Sequence, residues 1–189
     1  MNLEIGTDII AISRIKNAIA KFGMSFLERF LLPNEILLAY KNRDSLSVLC
    51  RKDSKASNHL DMENQEFLTH DVVSCKFHFF TQENLELYSM QTQSTMMYLK
   101  HNFTLDSYKI DTIAGFWAIK EACSKALGVG IGKDIGFHDM CIYKDLHGKP
   151  HLALHESKYN AFKTQKIAIS MSHDLENAIA ICAITFADT

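Results

Sequence analysis

Two apolar runs close the chain, KIAISMSH (166–173) and AIAICAITF (178–186), and only DLEN (174–177) separates them. Both runs favour extended backbone, and a four-residue polar link is the length of a hairpin connection, so the spacing predicts adjacent antiparallel strands. A hairpin this apolar needs a cover. A further strand is expected at the other end of the chain, in LEIGTDII (3–10). There Leu3, Ile5, Thr7 and Ile9 fall on one face, and Gly6, Asp8 and Ile10 on the other. Strands at both ends with helical patterns between them imply an α+β fold.

The helical patterns begin after the first strand. Ser13 is the expected cap of a helix whose stripe is Ile15, Ile19 and Phe22, with Gly23 as its stop. Pro33 suits the first turn of a second helix, PNEILLAYKNR, with Glu35 near its positive end. From about Asp44 to Lys109 the chain changes character, with no glycine between Gly23 and Gly115. The segment is too apolar for a linker and reads as an insertion, with a strand in VVSCKFHFF (72–80) and a helix over 83–101. IAGFWAIKEACSKAL then reads as a helix, with Ile119, Ala122, Cys123 and Ala126 on one face. Further strands are expected in HDMCIYKD (138–145) and HLALH (151–155), across the turn LHGKP.

Composition sets bounds on function. The 189 residues are 47% hydrophobic and 22% charged, enough for one folded domain. A net charge of −2 provides no general field for nucleic acid. Five scattered cysteines without a C-x-x-C pair suggest reduced thiols in a cytoplasmic protein. No apolar run is long enough to cross a membrane, and the N-terminus has no basic lead-in to a signal sequence.

Several residues carry possible chemistry. Asp8 sits in an apolar strand, where a carboxylate needs a partner or a metal; the alternative is a strand-edge acid. Glu121 and Lys125 are spaced for an ordinary helical ion pair, yet Glu121 together with another acid would also suit Mg²⁺, with Lys125 placed for phosphate. Gly128, Gly130 and Gly132 mark either a simple helix exit or a close backbone approach to a ligand. His173 ends a strand, where solvation is the ordinary fate of an imidazole. His59, Asp61, Glu63 and His70 have metal-binding atoms in no usable spacing and read as surface residues. Arg14, Lys16 and Lys21 form a basic stretch, either a solvated face or a docking surface for an acidic protein.

In order along the chain, IGTDIIAISRI (5–15), FLERFLLPNE (26–35), WAIKEACSKALGVGIG (117–132), GKP (148–150) and ISMSH (169–173) resemble the holo-acyl-carrier-protein synthase family, the short class of 4′-phosphopantetheinyl transferases. The resemblance covers 3–43 and 110–186. It implies a transferase-type fold, an antiparallel sheet packed against helices, as one domain over 1–189 with a long insertion after the second helix at about 44–109. It implies transfer of phosphopantetheine from coenzyme A to a serine of apo acyl carrier protein, releasing adenosine 3′,5′-bisphosphate. On this resemblance Asp8 and Glu121 are Mg²⁺ ligands, Glu121 takes the serine proton directly or through a metal-bound water, and Lys125 stabilises the pyrophosphate. Gly128, Gly130 and His173 face the coenzyme, and Arg14 meets the carrier protein. It also implies a homotrimer with sites between subunits, so that His173 serves a neighbour's site. The alternative is a non-catalytic module that binds coenzyme A or carrier protein on the same fold. One departure stands out: Phe116 and Trp117 occupy positions where many members carry Arg-Phe.

Overall fold

The computed structural model describes residues 2–42, 79–145 and 147–187. The elements run β1 (Asn2–Ala11), α1 (Ile12–Phe22), the single turn α2 (Met24–Leu27), α3 (Pro33–Ala39), β2 (Phe79–Phe80), α4 (Gln82–His101), α5 (Ile110–Ala126), β3 (Met140–Lys144), β4 (Pro150–His155), α6 (Glu156–Ala161), β5 (Thr164–His173) and β6 (Asn177–Phe186). Short 3-10 turns occur at Leu105–Ser107 and Phe137–Asp139.

The expected hairpin forms the middle and one edge of an antiparallel sheet ordered β1-β6-β5. Its register sets Gly6 opposite Cys182, Asp8 opposite Ala180, and Ile10 opposite Ala178. The same rows continue into β5 as Ile169, Met171 and His173. Paired residues share a face, so these rows form the side that α5 covers. Cys182, Ala180, Ala178 and Ile10 are buried there, as the alternation in β1 predicts. The opposite face is bare: Leu3, Ile5, Ile9, Ile179 and Ile181 are exposed, Ile5 at 61% and Ile9 at 64%.

Helix α5 is buried almost all round, through Ile113, Phe116, Ile119, Cys123 and Ala126 among others. Phe116 is wholly enclosed. Trp117 stacks on Phe26 and meets Phe30 and Phe137 at ring distances of 5.0 and 4.9 Å. A charged side chain at position 116 would face core instead of a ligand. The second sheet is ordered β2-β4-β3, with β4 antiparallel to β3 and parallel to β2. The α+β architecture with an antiparallel sheet against helices is therefore present, joined by a small mixed sheet.

The two sheets are tied by a buried ion pair. Lys120 and Glu35 are both fully buried, with Nζ 2.7 Å from Oε2. Lys120 Nζ also donates to the carbonyls of Phe30 and Phe137. Glu35 accepts from the backbone N–H of Leu32 through Oε2 and of Ile142 through Oε1. Burial pushes the Glu35 carboxyl up, opposed by the Lys120 charge and these donors. Glu35 is thus more than a charge near a helix dipole: one carboxylate caps α3 and anchors β3 and α5.

The chain pairs with itself where the long excursion begins and ends. Tyr40 bridges Tyr108, Lys41 N–H donates to the Ser107 carbonyl, and Lys109 N–H donates to the Ala39 carbonyl. The helix expected at 83–101 is α4, Gln82–His101. It sets Met96 and Leu99 into the core, and Lys100 pairs with Glu28 at 2.7 Å. Of the strand expected in VVSCKFHFF, Phe79–Phe80 is described as β2, and the rest lies outside the described residues. So do His59, Asp61, Glu63 and His70.

One cap differs from expectation. Helix α1 starts at Ile12 with Ala11 as its cap, and Ser13 makes no capping bond. The strand runs straight into the helix, and the Ile12 N–H is taken by the Glu176 carbonyl in the β5–β6 turn. Gly23 does stop α1, at φ 58°, with its N–H on the Ile19 carbonyl.

Candidate active site

The close approach of β1 to α5 starts at Gly6. A Cβ there would sit 2.5 Å from the backbone N of Ala126 and closer still to the Ala122 carbonyl. With no side chain at Gly6, the helix lies directly on the strand. Two residues further on, Asp8 meets the same helix. Lys125 Nζ donates to Asp8 Oδ1 at 2.7 Å and to the Thr7 carbonyl at 3.1 Å. The i, i+4 spacing therefore does not pair Lys125 primarily with Glu121: its partner is across the strand.

Glu121 completes the group. Burial raises the affinity of its carboxyl for a proton, the Asp8 charge raises it further, and Lys125 and Arg14 oppose both. These influences bring Asp8, Glu121, Lys125 and Arg14 into one electrostatic neighbourhood. Arg14 itself is exposed on α1. Two carboxylates that repel each other beside a basic rim form an oxygen-donor site of the kind Mg²⁺ takes, which needs only one or two carboxylates when water and phosphate oxygens complete its shell. Among the described residues no group of three or more His, Cys, Asp and Glu side chains is placed to hold a metal. Asp8 and Glu121 are oxygen donors of the type magnesium takes, and they are the residues that would hold such an ion.

The glycine exit follows within one turn. Gly128 and Gly130 take φ of 76° and 68°, conformations that favour glycine. The N–H groups of Val129 and Gly130 both fold back to the Ser124 carbonyl. A Cβ at Gly128 or Gly130 would meet nothing within 4 Å, so the loop faces open space beside the site.

His173 is elsewhere. Its Nε2 lies 3.7 Å from Asp111 Oδ2, at the start of α5. Asp111 and Glu121 are ten helical residues apart, about 15 Å of rise. Within one chain, then, Asp8, Glu121, Lys125 and Arg14 converge and His173 does not join them. Near His173 is a cleft of about 250 Å³ between β5 and the β3–β4 turn, lined by Lys144, Lys149, Ser170 and Met171 among others. It lies two strand spacings, about 10 Å, across the sheet from Asp8.

Neither the Lys120–Glu35 pair nor the spacing role of Gly6 follows from charge and hydrophobic periodicity alone. The first joins positions 85 residues apart. The signal for the second was available: a glycine on the helix-facing side of a strand often marks a close backbone approach.

A sheet covered by one helix, with two carboxylates and a lysine where strand and helix touch, is an α+β arrangement whose charged groups are of the kind phosphate chemistry uses. The family model of the 4′-phosphopantetheinyl transferase superfamily matches residues 60–182. The holo-[acyl-carrier-protein] synthase of Helicobacter acinonychis is 33% identical over 181 residues, 96% of this chain and 99% of that protein. That of Wolinella succinogenes is 33% identical over 180 residues, covering 95% of each chain. The crystal structure of Helicobacter pylori holo-[acyl-carrier-protein] synthase in complex with coenzyme A aligns at a TM-score of 0.55 and 31% identity, over 96% of this chain and 99% of that one. The Neisseria meningitidis holo-[acyl-carrier-protein] synthase shares the fold at a TM-score of 0.54 and 19% identity, over 96% of this chain and 97% of that one. The chain belongs to the holo-[acyl-carrier-protein] synthase family of the 4′-phosphopantetheinyl transferase superfamily.

Proposed function

We propose that this protein transfers 4′-phosphopantetheine from coenzyme A to a serine of apo acyl carrier protein, giving holo-acyl carrier protein and adenosine 3′,5′-bisphosphate. The observation that carries the reading is the convergence of Asp8, Glu121 and Lys125 where Gly6 lets β1 touch α5. The serine oxygen forms a bond to the β-phosphorus, the bond from that phosphorus to the bridging oxygen breaks, and the bisphosphate leaves with that oxygen.

Glu121 takes the serine proton. Burial and the Asp8 charge raise its affinity for a proton in the metal-free chain, and a bound Mg²⁺ would oppose that rise. Lys125, anchored by Asp8 and the Thr7 carbonyl, presents its ammonium to the pyrophosphate. Asp8 and Glu121 hold Mg²⁺, which when bound offsets the charge of the pyrophosphate. The Gly128–Gly130 loop admits the coenzyme close to the backbone, and exposed Arg14 meets acidic side chains of the carrier protein.

The assembly we propose is a homotrimer. The bare row of Leu3, Ile5, Ile9, Ile179 and Ile181 supports it, because an apolar sheet face of this kind is normally covered. The separation of His173 from Glu121 supports a shared site in which His173 of one subunit holds coenzyme for its neighbour. We take the chain as one domain with an insertion at about 44–109, supported by the Tyr40–Tyr108 closure. The buried free thiols of Cys123, Cys141 and Cys182 suit the reducing cytoplasm. No helix among the described residues is long and apolar enough to cross a membrane.

The deciding experiment incubates the protein with apo acyl carrier protein, coenzyme A and Mg²⁺ and weighs the carrier protein by mass spectrometry. The expected result is a gain of the phosphopantetheine mass. Binding of both substrates without that gain would overturn the reading.

A further inference from the structure

The cleft beside β5 has one wall made by the β3–β4 turn, and a single carboxylate holds that turn in shape. Asp145 Oδ1 accepts from the N–H of His147 at 2.9 Å and of Lys149 at 2.9 Å. Asp145 Oδ2 lies 3.0 Å from Nε2 of His151. The Asp145 backbone is engaged as well: its N–H donates to the Lys149 carbonyl and its carbonyl accepts from the Gly148 N–H. The His151 ring in turn lies nearly parallel to Tyr143, 5.2 Å between centroids and 19° between planes. The donors draw the Asp145 carboxyl below the usual carboxylate range, the His151 hydrogen bond first among them.

This is a clamp on an exposed turn. Gly148 adopts φ 79°, and it lines the cleft together with Lys149 and Pro150. Across the gap stand Ser170 and Met171 on β5, and Lys144 lies at the root of the turn. The Lys149 ammonium and the Ser170 hydroxyl at a concavity suit a phosphate-bearing ligand. Without such a clamp the exposed residues His147–Lys149 would sample many shapes, and each would place Lys149 differently.

We propose that Asp145, seconded by His151, is a positioning residue for coenzyme binding: it fixes the turn Gly148–Pro150 so that Lys149 and the turn backbone present one preformed wall to the anionic nucleotide end of coenzyme A. The inference rests on the transferase reading above. Asp145 touches no reacting atom. Its effect falls on the ground-state binding of coenzyme, which appears in KM while kcat is retained.

The test is a kinetic and calorimetric comparison of the wild-type protein with Asp145→Ala, Asp145→Asn and His151→Ala, using coenzyme A, apo acyl carrier protein and Mg²⁺. For Asp145→Ala, KM and the calorimetric Kd for coenzyme A should rise about tenfold, with kcat within about twofold and KM for the carrier protein unchanged. Asparagine keeps an acceptor for the two N–H groups and should restore most of the affinity. His151→Ala should give a smaller rise of the same kind, about threefold. Unchanged coenzyme affinity in Asp145→Ala, or a loss confined to kcat, overturns the positioning role and leaves the transferase reading intact. If the alanine variant does not fold, wild-type affinity in His151→Ala overturns it equally. Absence of transfer by the wild-type protein refutes the transferase reading itself, and is recognisable because it does not depend on position 145.

Discussion

Replacing Lys120 by methionine tests how the two sheets are joined. Methionine keeps the length and apolar stem but removes three donated hydrogen bonds, to Glu35 Oε2 at 2.7 Å, the Phe30 carbonyl at 2.8 Å and the Phe137 carbonyl at 3.0 Å. It leaves a fully buried carboxylate with two backbone donors and no counter-charge. Breaking one partner of such a pair costs about 3–5 kcal/mol, a large share of the roughly 5–15 kcal/mol that holds a domain together. Adding Glu35→Gln removes the stranded charge and should restore about 1–2 kcal/mol, although the two carbonyls still lack Lys120. Urea unfolding followed by the fluorescence of Trp117, the only tryptophan, reads the change beside the lesion. The sign of the pH effect adds a second check. Burial already raises the Glu35 carboxyl against the opposing Lys120 charge, and loss of that charge raises it further. The folded variant then holds a proton that the unfolded chain releases, so its deficit should shrink as the pH falls from the alkaline side toward the ordinary carboxylate range. In the Glu35→Gln background the shrinkage should vanish. A deficit under about 1 kcal/mol, or one unchanged by pH, refutes the reasoning.

Gly6→Ala should cost about 3 kcal/mol or more in the same assay, because its Cβ meets helix backbone that no rotamer change can move; a cost under about 1 kcal/mol removes the close approach as the organiser of the site. Glu121→Gln should abolish transfer in the mass assay while raising the unfolding temperature at alkaline pH. The reason is that ionised Glu121 bears the burden of burial and of Asp8, and that gain should fade on acidification as the wild-type carboxyl protonates. Ile181→Asp, on the exposed sheet face, should shift the particle mass by light scattering towards the monomer and leave unfolding of the single chain within about 0.5 kcal/mol.

What could be read in advance followed the range of the forces involved. The β1 alternation, the terminal hairpin and α5 rest on local periodicity, and each lies where its pattern placed it. Helix α1 begins ahead of Ser13 because β1 runs straight into it and the Glu176 carbonyl accepts the Ile12 N–H. Asp8, Glu121 and Lys125 could be singled out by residue type, but their pairing could not. The spacing suggested Glu121 with Lys125, whereas the fold gives Lys125 to Asp8, 117 positions away. The Asp145 clamp is local in sequence, and LHGKP was read as a turn. Its acceptor was missed because Asp145 had been assigned to the preceding strand.

The place of β6 in the sheet bears on how the chain is made. The central strand of the β1-β6-β5 sheet is the last of all these elements to be synthesised. Until it emerges, β1 and β5 have no partner in that sheet, and the strand that carries Asp8 must wait until every other described element has been made. Loss of Asn177–Phe186 would remove the middle of the sheet, not its margin. A ribosome that stalls short of Asn177 therefore releases a chain with two unmatched strand edges. Quality control can recognise such a chain by those edges before any question of activity arises.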